Sequence, residues 1–183
     1  ALGRGNMHDQ MLMTLHIRFS RSHGAHPALD GAAASCCLRT TTTTINMSLT
    51  IQSQNKVFEG VLTKYSFRSK VLGGLEAKMN VFLPESANAG HKVPVLYFLS
   101  GLTCTEDNAA QKGHFFEAAA KEQLAIVFPD TSPRGANIPG EEDSWDFGTG
   151  AGFYVNATKE PWNKYYNMYD HVLKEIPQLI ASE

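Results

Sequence analysis

The stretch Val95-Leu96-Tyr97-Phe98-Leu99-Ser100-Gly101-Leu102-Thr103-Cys104-Thr105 decides the fold of this chain. Its first five residues are apolar without interruption, which is typical of a β-strand that is covered by helices on both faces. Small and polar residues follow, and they predict a tight loop directly after the carboxyl end of that strand. In open α/β sheets, ligands bind outside the carboxyl ends of the strands.

A second strand of the same kind follows this loop. Ala125–Phe128 is also apolar throughout and ends at Pro129-Asp130. The intervening segment, Thr105–Leu124, is rich in Ala and Glu and places Phe115, Phe116 and Ala119 at helical spacing. Strand, helix and strand in this order predict a βαβ unit with parallel strands.

The segments upstream predict antiparallel strands. In Leu75–Leu83, every second residue from Leu75 is apolar, and the residues at 76, 78 and 80 are polar. This alternation indicates a half-buried strand, which Pro84 terminates. Phe58–Phe67 is rich in β-branched and aromatic residues and predicts another strand, and Gly73-Gly74 lies in the turn between the two.

The C-terminal segment predicts a helix. Pro161 is suited to its first position, and we expect the helix to extend to Ile180. Pro177 should kink it or mark its last turn. The apolar stripe comprises Tyr165, Met168, Tyr169, Val172, Leu173, Ile176 and Ile180.

Composition excludes several classes of protein. The chain has 183 residues, the length of one ordinary domain. Its 16 Lys and Arg against 18 Asp and Glu give no basic excess, so we do not expect nucleic-acid binding. No apolar run reaches the roughly 18 residues of a membrane-spanning helix. The 3 Cys are too few for a disulfide scaffold and lack the paired spacing of a zinc site, so we expect no metal site from them.

Residues 1–46, the leader, differ in composition from the rest. They contain no Lys and no Glu, and Phe19 is their single aromatic residue. Such a segment cannot bury enough apolar area to offset its ordering entropy, so we expect it to be disordered. It could be an organelle transit peptide, a variable extension, or sequence that precedes a true start at Met47. We therefore expect residues 47–183 to form part of one domain.

The loop after Leu99 is the candidate for chemistry. Small residues there would allow backbone N–H groups to face a developing anion, as in the oxyanion hole of an acyl-transfer enzyme. The same residues would also suit a tight turn that merely ends the strand. The pattern by itself leaves both interpretations open.

Three longer motifs resemble one known family. They are Ser100–Glu106, Pro129–Gly135 and Gly140–Val155, and in this order they resemble S-formylglutathione hydrolase, also called esterase D. The resemblance extends from about Ser53 to the C-terminus. It implies an α/β-hydrolase fold and a cytoplasmic thioesterase without cofactor that hydrolyses S-formylglutathione to glutathione and formate, commonly as a homodimer.

The resemblance also implies roles for individual residues. The backbone N–H of Leu102 would be one oxyanion donor, and Cys104 would be a thiol beside the active site that is not the nucleophile. Residues 143–153 would line or support the substrate pocket, unless they form a purely structural loop. The implied substrate-binding residues are Gly101, Cys104, Trp145, Asp146 and Phe147.

One feature departs from the family pattern. The family's nucleophile is the Ser of Gly-His-Ser-Met-Gly-Gly, and this sequence contains no Gly-x-Ser-x-Gly. We therefore expect the N-terminal antiparallel strands and first βαβ unit of an α/β-hydrolase, truncated before the nucleophile strand, with Val95–Leu99 as an open edge. This chain would be inactive alone. Alternatively, it is a non-catalytic truncated isoform that associates with the intact enzyme.

Overall fold

The computed structural model describes residues 12–15 and 48–182, and their strands form one mixed sheet. These strands are β1 Leu12–Leu15, β2 Thr50–Val57, β3 Gly60–Arg68, β4 Glu76–Pro84, β5 Val95–Phe98 and β6 Ala125–Pro129. Their spatial order is β1-β5-β6-β4-β3-β2. β5 and β6 are parallel, and the other neighbouring pairs are antiparallel. The predicted hairpin around Gly73-Gly74 and the predicted parallel pair are both confirmed.

The segment between β5 and β6 contains two helices instead of the predicted single one. These are α2 Glu106–Lys112 and α3 Phe116–Lys121, and a shorter helix, α1 Glu85–Asn88, precedes β5. The break falls at Gly113, where a Cβ would lie 2.0 Å from the Phe115 ring. His114 follows with a φ of 53°, a left-handed conformation that an α-helix cannot include. The prediction of one continuous helix was wrong because Gly113 and His114 turn the chain.

The C-terminal helix, α4, begins later than its prediction. It consists of α-helical Met168–Asp170, π-helical His171–Glu175 and α-helical Ile176–Ser182. Pro161 instead precedes a short 3-10 turn, Trp162–Lys164. Pro177 has no N–H for the helical ladder, and the π-helical segment lies directly before the segment that contains it. The predicted irregularity near Pro177 therefore lies on its N-terminal side.

The core consists of two layers, one on each face of the sheet. Tyr97 and Val127 pack with α4 on one face, whereas the adjacent Phe98 and Phe128 pack with α2 and α3 on the other. Covering on both faces explains why β5 and β6 are apolar throughout. The prediction for β4 was only partly right, since Asn80 and Phe82 on its second face are also buried.

The two edge strands of the sheet are β1 and β2. β2 is exposed along nearly its whole length, so it carries no apolar alternation that would have predicted it. β1 pairs antiparallel with β5, so that the edge we expected to be open is occupied. The remainder of the leader lies outside the described residues. Among the helices that the structure describes, none combines the length and apolar character needed to cross a membrane.

Candidate active site

The β5–α2 loop, residues 99–105, contains a backbone amide that has no acceptor in the part of the chain that the structure describes. Thr103 adopts a φ of 64°, which is uncommon for a β-branched residue. Its N–H donates to the Gly150 carbonyl at 2.8 Å, and the Cys104 N–H donates to the Gly101 carbonyl at 3.2 Å. The Leu102 N–H, which precedes both of these groups in the chain, has no acceptor within residues 48–182. It is therefore available to an oxygen atom of a ligand.

The end of this loop is fixed by the start of α2. The Thr105 N–H donates to Asn108 Oδ1 at 2.8 Å, and the Asp107 N–H donates to Thr105 Oγ1 at 3.2 Å. This reciprocal capping satisfies amides that the helix itself cannot satisfy. Glu106 is buried and forms a 2.8 Å ion pair with Lys64 of β3, which joins α2 to the sheet.

The loop after β6 holds the carbonyl group of Cys104. Thr131 Oγ1 donates to this carbonyl at 2.5 Å, and Arg134 Nη2 donates to it at 3.2 Å. The guanidinium of Arg134 is itself oriented by Asp130, through bonds of 2.7 Å from Nε and 2.8 Å from Nη2. Bidentate pairs of this type fix orientation as well as distance. The loops that follow the two parallel strands therefore support each other.

The long connection after β6 is organised around the buried carboxylate of Glu141. This carboxylate accepts from the Ile138 N–H at 3.1 Å and from the Tyr166 hydroxyl. Burial and the hydrogen bond to Glu141 raise the pKa of Tyr166 above its ordinary value, so its hydroxyl stays protonated. Gly148 lies against the Glu141 backbone with a φ of 74°. The connection is thus a packed structural element and not an extended tether.

An apolar cavity of about 190 Å³ lies next to this connection. Phe147 contributes to its wall and meets Trp162 edge-on, with ring centroids 5.0 Å apart. The cavity is open to solvent and could hold an apolar group of a small molecule. Its lining comprises Ser132, Phe147, Gly148, Ala151, Phe153, Val155, Ala157, Trp162, Tyr166 and Met168.

The structure brings only some of the residues implied by the resemblance together. Gly101, Leu102 and Cys104 share the β5–α2 loop, and Phe147 lies in the cavity wall. Trp145 is 70% exposed and, like Asp146, is not part of the cavity lining. The sequence analysis gave no role to Tyr154, although its hydroxyl donates to the Ser100 carbonyl at 2.7 Å. The glycines at alternate positions 148, 150 and 152 were the signal that could have indicated a close approach of two backbones.

A separate cluster of Ser69, His171 and Glu175 has the residue types of a catalytic triad but not its geometry. The three residues are 0%, 1% and 3% exposed. Ser69 Oγ and His171 Nδ1 both contact Glu175 Oε2, at 2.5 Å and 2.6 Å. In a triad the imidazole lies between the hydroxyl and the carboxylate and uses both of its nitrogens. This cluster instead joins the β3–β4 turn to α4.

Within the described residues, no group of three His, Cys, Asp or Glu side chains is placed to hold a metal ion. The Leu102 amide offers a hydrogen-bond donor at the carboxyl end of β5. Donors of this kind stabilise the negative oxygen that develops when an acyl group is attacked.

Comparisons with known proteins show which family the chain resembles in sequence. The family model Esterase, described as "Putative esterase", matches residues 69–183. The chain is 52% identical over 134 residues to S-formylglutathione hydrolase from Mus musculus, covering 73% of this chain and 47% of the relative. The corresponding protein from Arabidopsis thaliana is 50% identical over 126 residues, covering 69% and 44%. The chain thus spans about half the length of the curated relatives it matches.

A solved structure shows the same architecture. It is an S-formylglutathione hydrolase from Agrobacterium tumefaciens, with a TM-score of 0.69 and 43% identity, covering 73% of this chain and 47% of that one. Together with the mixed sheet and its flanking helices, this match confirms the predicted α/β-hydrolase fold for the part of the chain that aligns.

Proposed function

Because the chain belongs to the esterase family, we propose that it forms the amino-terminal part of an S-formylglutathione hydrolase and contributes one oxyanion donor, the Leu102 N–H. The observation that carries this proposal is the amide itself, which has no acceptor among residues 48–182 although the two N–H groups that follow it are both hydrogen-bonded. The similarity to curated S-formylglutathione hydrolases supports the choice of substrate.

The proposed reaction is hydrolysis of a thioester. A serine hydroxyl attacks the formyl carbon, and the carbonyl electron pair moves to the oxygen, which becomes negative. The Leu102 N–H donates to this oxygen and lowers the barrier. The carbonyl then re-forms as the C–S bond breaks, and the histidine carries the serine proton to the sulfur, so that glutathione leaves as the thiol. Water releases formate from the serine. The serine, acid and histidine of this mechanism are not contributed by the described residues.

The proposed substrate contacts lie on both sides of the oxyanion donor. Gly101 and Cys104 flank Leu102 in the loop, and Phe147 offers an apolar surface in the cavity wall. Trp145 and Asp146 are exposed on the same connection, where they could contact the glutathione moiety. We propose a cytoplasmic enzyme without cofactor whose full-length form is a homodimer.

The first test is an assay of the 183-residue chain with S-formylglutathione. We expect formate release at the rate of buffer alone, because an oxyanion donor without an activated nucleophile offers no acyl-enzyme route. An intact S-formylglutathione hydrolase serves as the positive control. A burst of formate from the purified chain would contradict the proposal.

The second test removes the amide proton in the complete reading frame. Leu102→Pro eliminates the N–H, and we expect kcat to fall about 100-fold, as for the loss of one oxyanion-hole donor. Leu102→Ala is the matched control, since it shortens the side chain but retains the N–H. We expect this variant to keep most of the activity. Equal kcat values for the two variants would exclude the Leu102 amide as a donor.

A second candidate function is non-catalytic association with the intact enzyme. Exposed apolar side chains in the cavity lining favour it, since exposed apolar surface of this kind marks interaction sites; they are Phe147, Phe153 and Val155. The transcript beyond codon 183 discriminates the two candidates. A strand followed by Gly-His-Ser-Met-Gly-Gly supports the hydrolase, and a stop codon confirmed at protein level supports the isoform.

A further inference from the structure

We propose that Tyr154 is a positioning residue that, together with Gly150 and Gly152, holds the Leu102 amide in place. We refer to residues 150–154 as the clamp segment. The inference rests on the proposed function of the Leu102 N–H, and it extends that function to a part of the chain about 50 residues away.

Alternate residues of the clamp segment, at positions 150, 152 and 154, each contact the β5–α2 loop. The Gly150 carbonyl accepts from the Thr103 N–H at 2.8 Å. Gly152 lies so close that an added Cβ would be 3.3 Å from the Leu102 nitrogen. The Tyr154 hydroxyl donates to the Ser100 carbonyl at 2.7 Å. Hydrogen bonds at Ser100 and Thr103 thus flank the Leu102 amide, and Gly152 packs directly against it.

One residue of the loop adopts an unfavourable backbone conformation. The φ of 64° at Thr103 is unfavourable for a β-branched residue. An added Cβ at Gly101 would meet no atom within 4 Å, so the loop has open space on that side. The contacts from the clamp segment therefore oppose the relaxation of Thr103 to an ordinary conformation.

The clamp segment is itself anchored to the end of β6. The Gly150 N–H donates to Ser132 Oγ at 2.7 Å, and Ser132 is buried. Burial, followed by the nearby charge of Asp130, raises the pKa of Tyr154 above its ordinary value, so its hydroxyl remains a donor at neutral pH. The Gly150–Ser132 hydrogen bond and the contacts of the clamp segment together connect the loops that follow β5 and β6.

Amide hydrogen exchange in the 183-residue chain, followed by NMR, tests the proposal. Tyr154→Phe removes the hydroxyl and keeps the ring, and we expect the hydrogen-bonded Thr103 and Cys104 amides to exchange about fivefold faster, the effect of one lost hydrogen bond. Their resonances should also shift. Gly152→Ala, a second variant, should accelerate exchange at the same amides because its Cβ would press on the Leu102 nitrogen. Tyr169→Phe, at a Tyr that is half exposed, is the control and should leave them unchanged.

The pattern of exchange distinguishes a positioning role from a general structural one. Acceleration confined to the loop, with the β5 and β6 amides unchanged, supports the proposal. Unchanged loop amides in both variants overturn it, and so does a uniform acceleration across the sheet. Hydrogen exchange does not depend on hydrolysis, so a failure of the Leu102→Pro test would remove the proposed function and leave the exchange result standing.

Discussion

Replacing Glu175 by alanine is expected to lower the free energy of unfolding by about 4 kcal/mol at pH 7, the cost of removing one partner from a buried charged network. One carboxylate oxygen contacts Ser69 Oγ and His171 Nδ1, and the other accepts the Lys70 and Val71 N–H groups at 2.7 Å and 3.3 Å. Alanine removes the acceptor of these donors and leaves a cavity in the core. Urea denaturation of the chain measures the loss.

The same residue should make stability depend on pH. Burial by itself raises the pKa of Glu175, but hydrogen bonds from His171, Ser69 and the Val71 backbone outweigh it, so its pKa lies below the ordinary 4.5. Because the folded-state pKa is lowered, the stabilisation is fully present above about pH 4.5 and is lost as the pH falls through the folded-state value. Wild type should therefore lose more stability than Glu175→Ala between pH 7 and pH 3.

A neighbouring residue on the same turn provides the control. Lys174 forms a 2.7 Å ion pair with Asp170, but its side chain is 63% exposed. Exposed pairs of this kind contribute little, so we expect Lys174→Gln to leave the unfolding transition almost unchanged. If Glu175→Ala and Lys174→Gln had equal effects, the Ser69–His171–Glu175 cluster would not stabilise the fold.

Gly148→Ala should have the second large effect, a loss of about 3 kcal/mol in the free energy of unfolding. A Cβ at this position would lie 2.0 Å from the Glu141 carbonyl oxygen, and the φ of 74° is unfavourable for alanine. The connection would have to move away from Glu141, whose carboxylate holds Ile138 and Tyr166. Because Trp162 contacts Phe147 in this region, tryptophan fluorescence during urea denaturation reports the change.

Gly135→Ala separates the conformational cost of a positive φ from the steric cost of the contact with Glu141. Gly135 has a φ of 81°, but an added Cβ would meet no atom within 4 Å. It should therefore show only the conformational cost, about 1 kcal/mol. Equal losses for Gly148→Ala and Gly135→Ala would mean that the contact with Glu141 is not restrictive.

The sequence predicted those parts of the fold whose signal is local. Continuous apolar character indicated β5 and β6, and Gly73-Gly74 indicated the turn of the hairpin, because each of these features is encoded in a few adjacent residues. The break at Gly113 and the late start of α4 were missed. A helical apolar spacing continues through Gly113, and only the Phe115 ring beside it shows why the chain turns there.

For the candidate site, the sequence by itself determined the Ser100–Thr105 motif and its place after a buried strand, and the resemblance to a known family implied the Leu102 amide as a candidate donor. Only the tertiary structure decided what holds that amide. The contact between Tyr154 and Ser100 spans 54 positions, and local patterns carry no information about such a distance. The same holds for Ser69 and Glu175, 106 positions apart, whose residue types suggest catalysis until their burial and shared oxygen are known. Contacts of this range form only when the sheet brings loops from different strands together. For this reason the sequence predicted the motif but not the contacts that hold it in place.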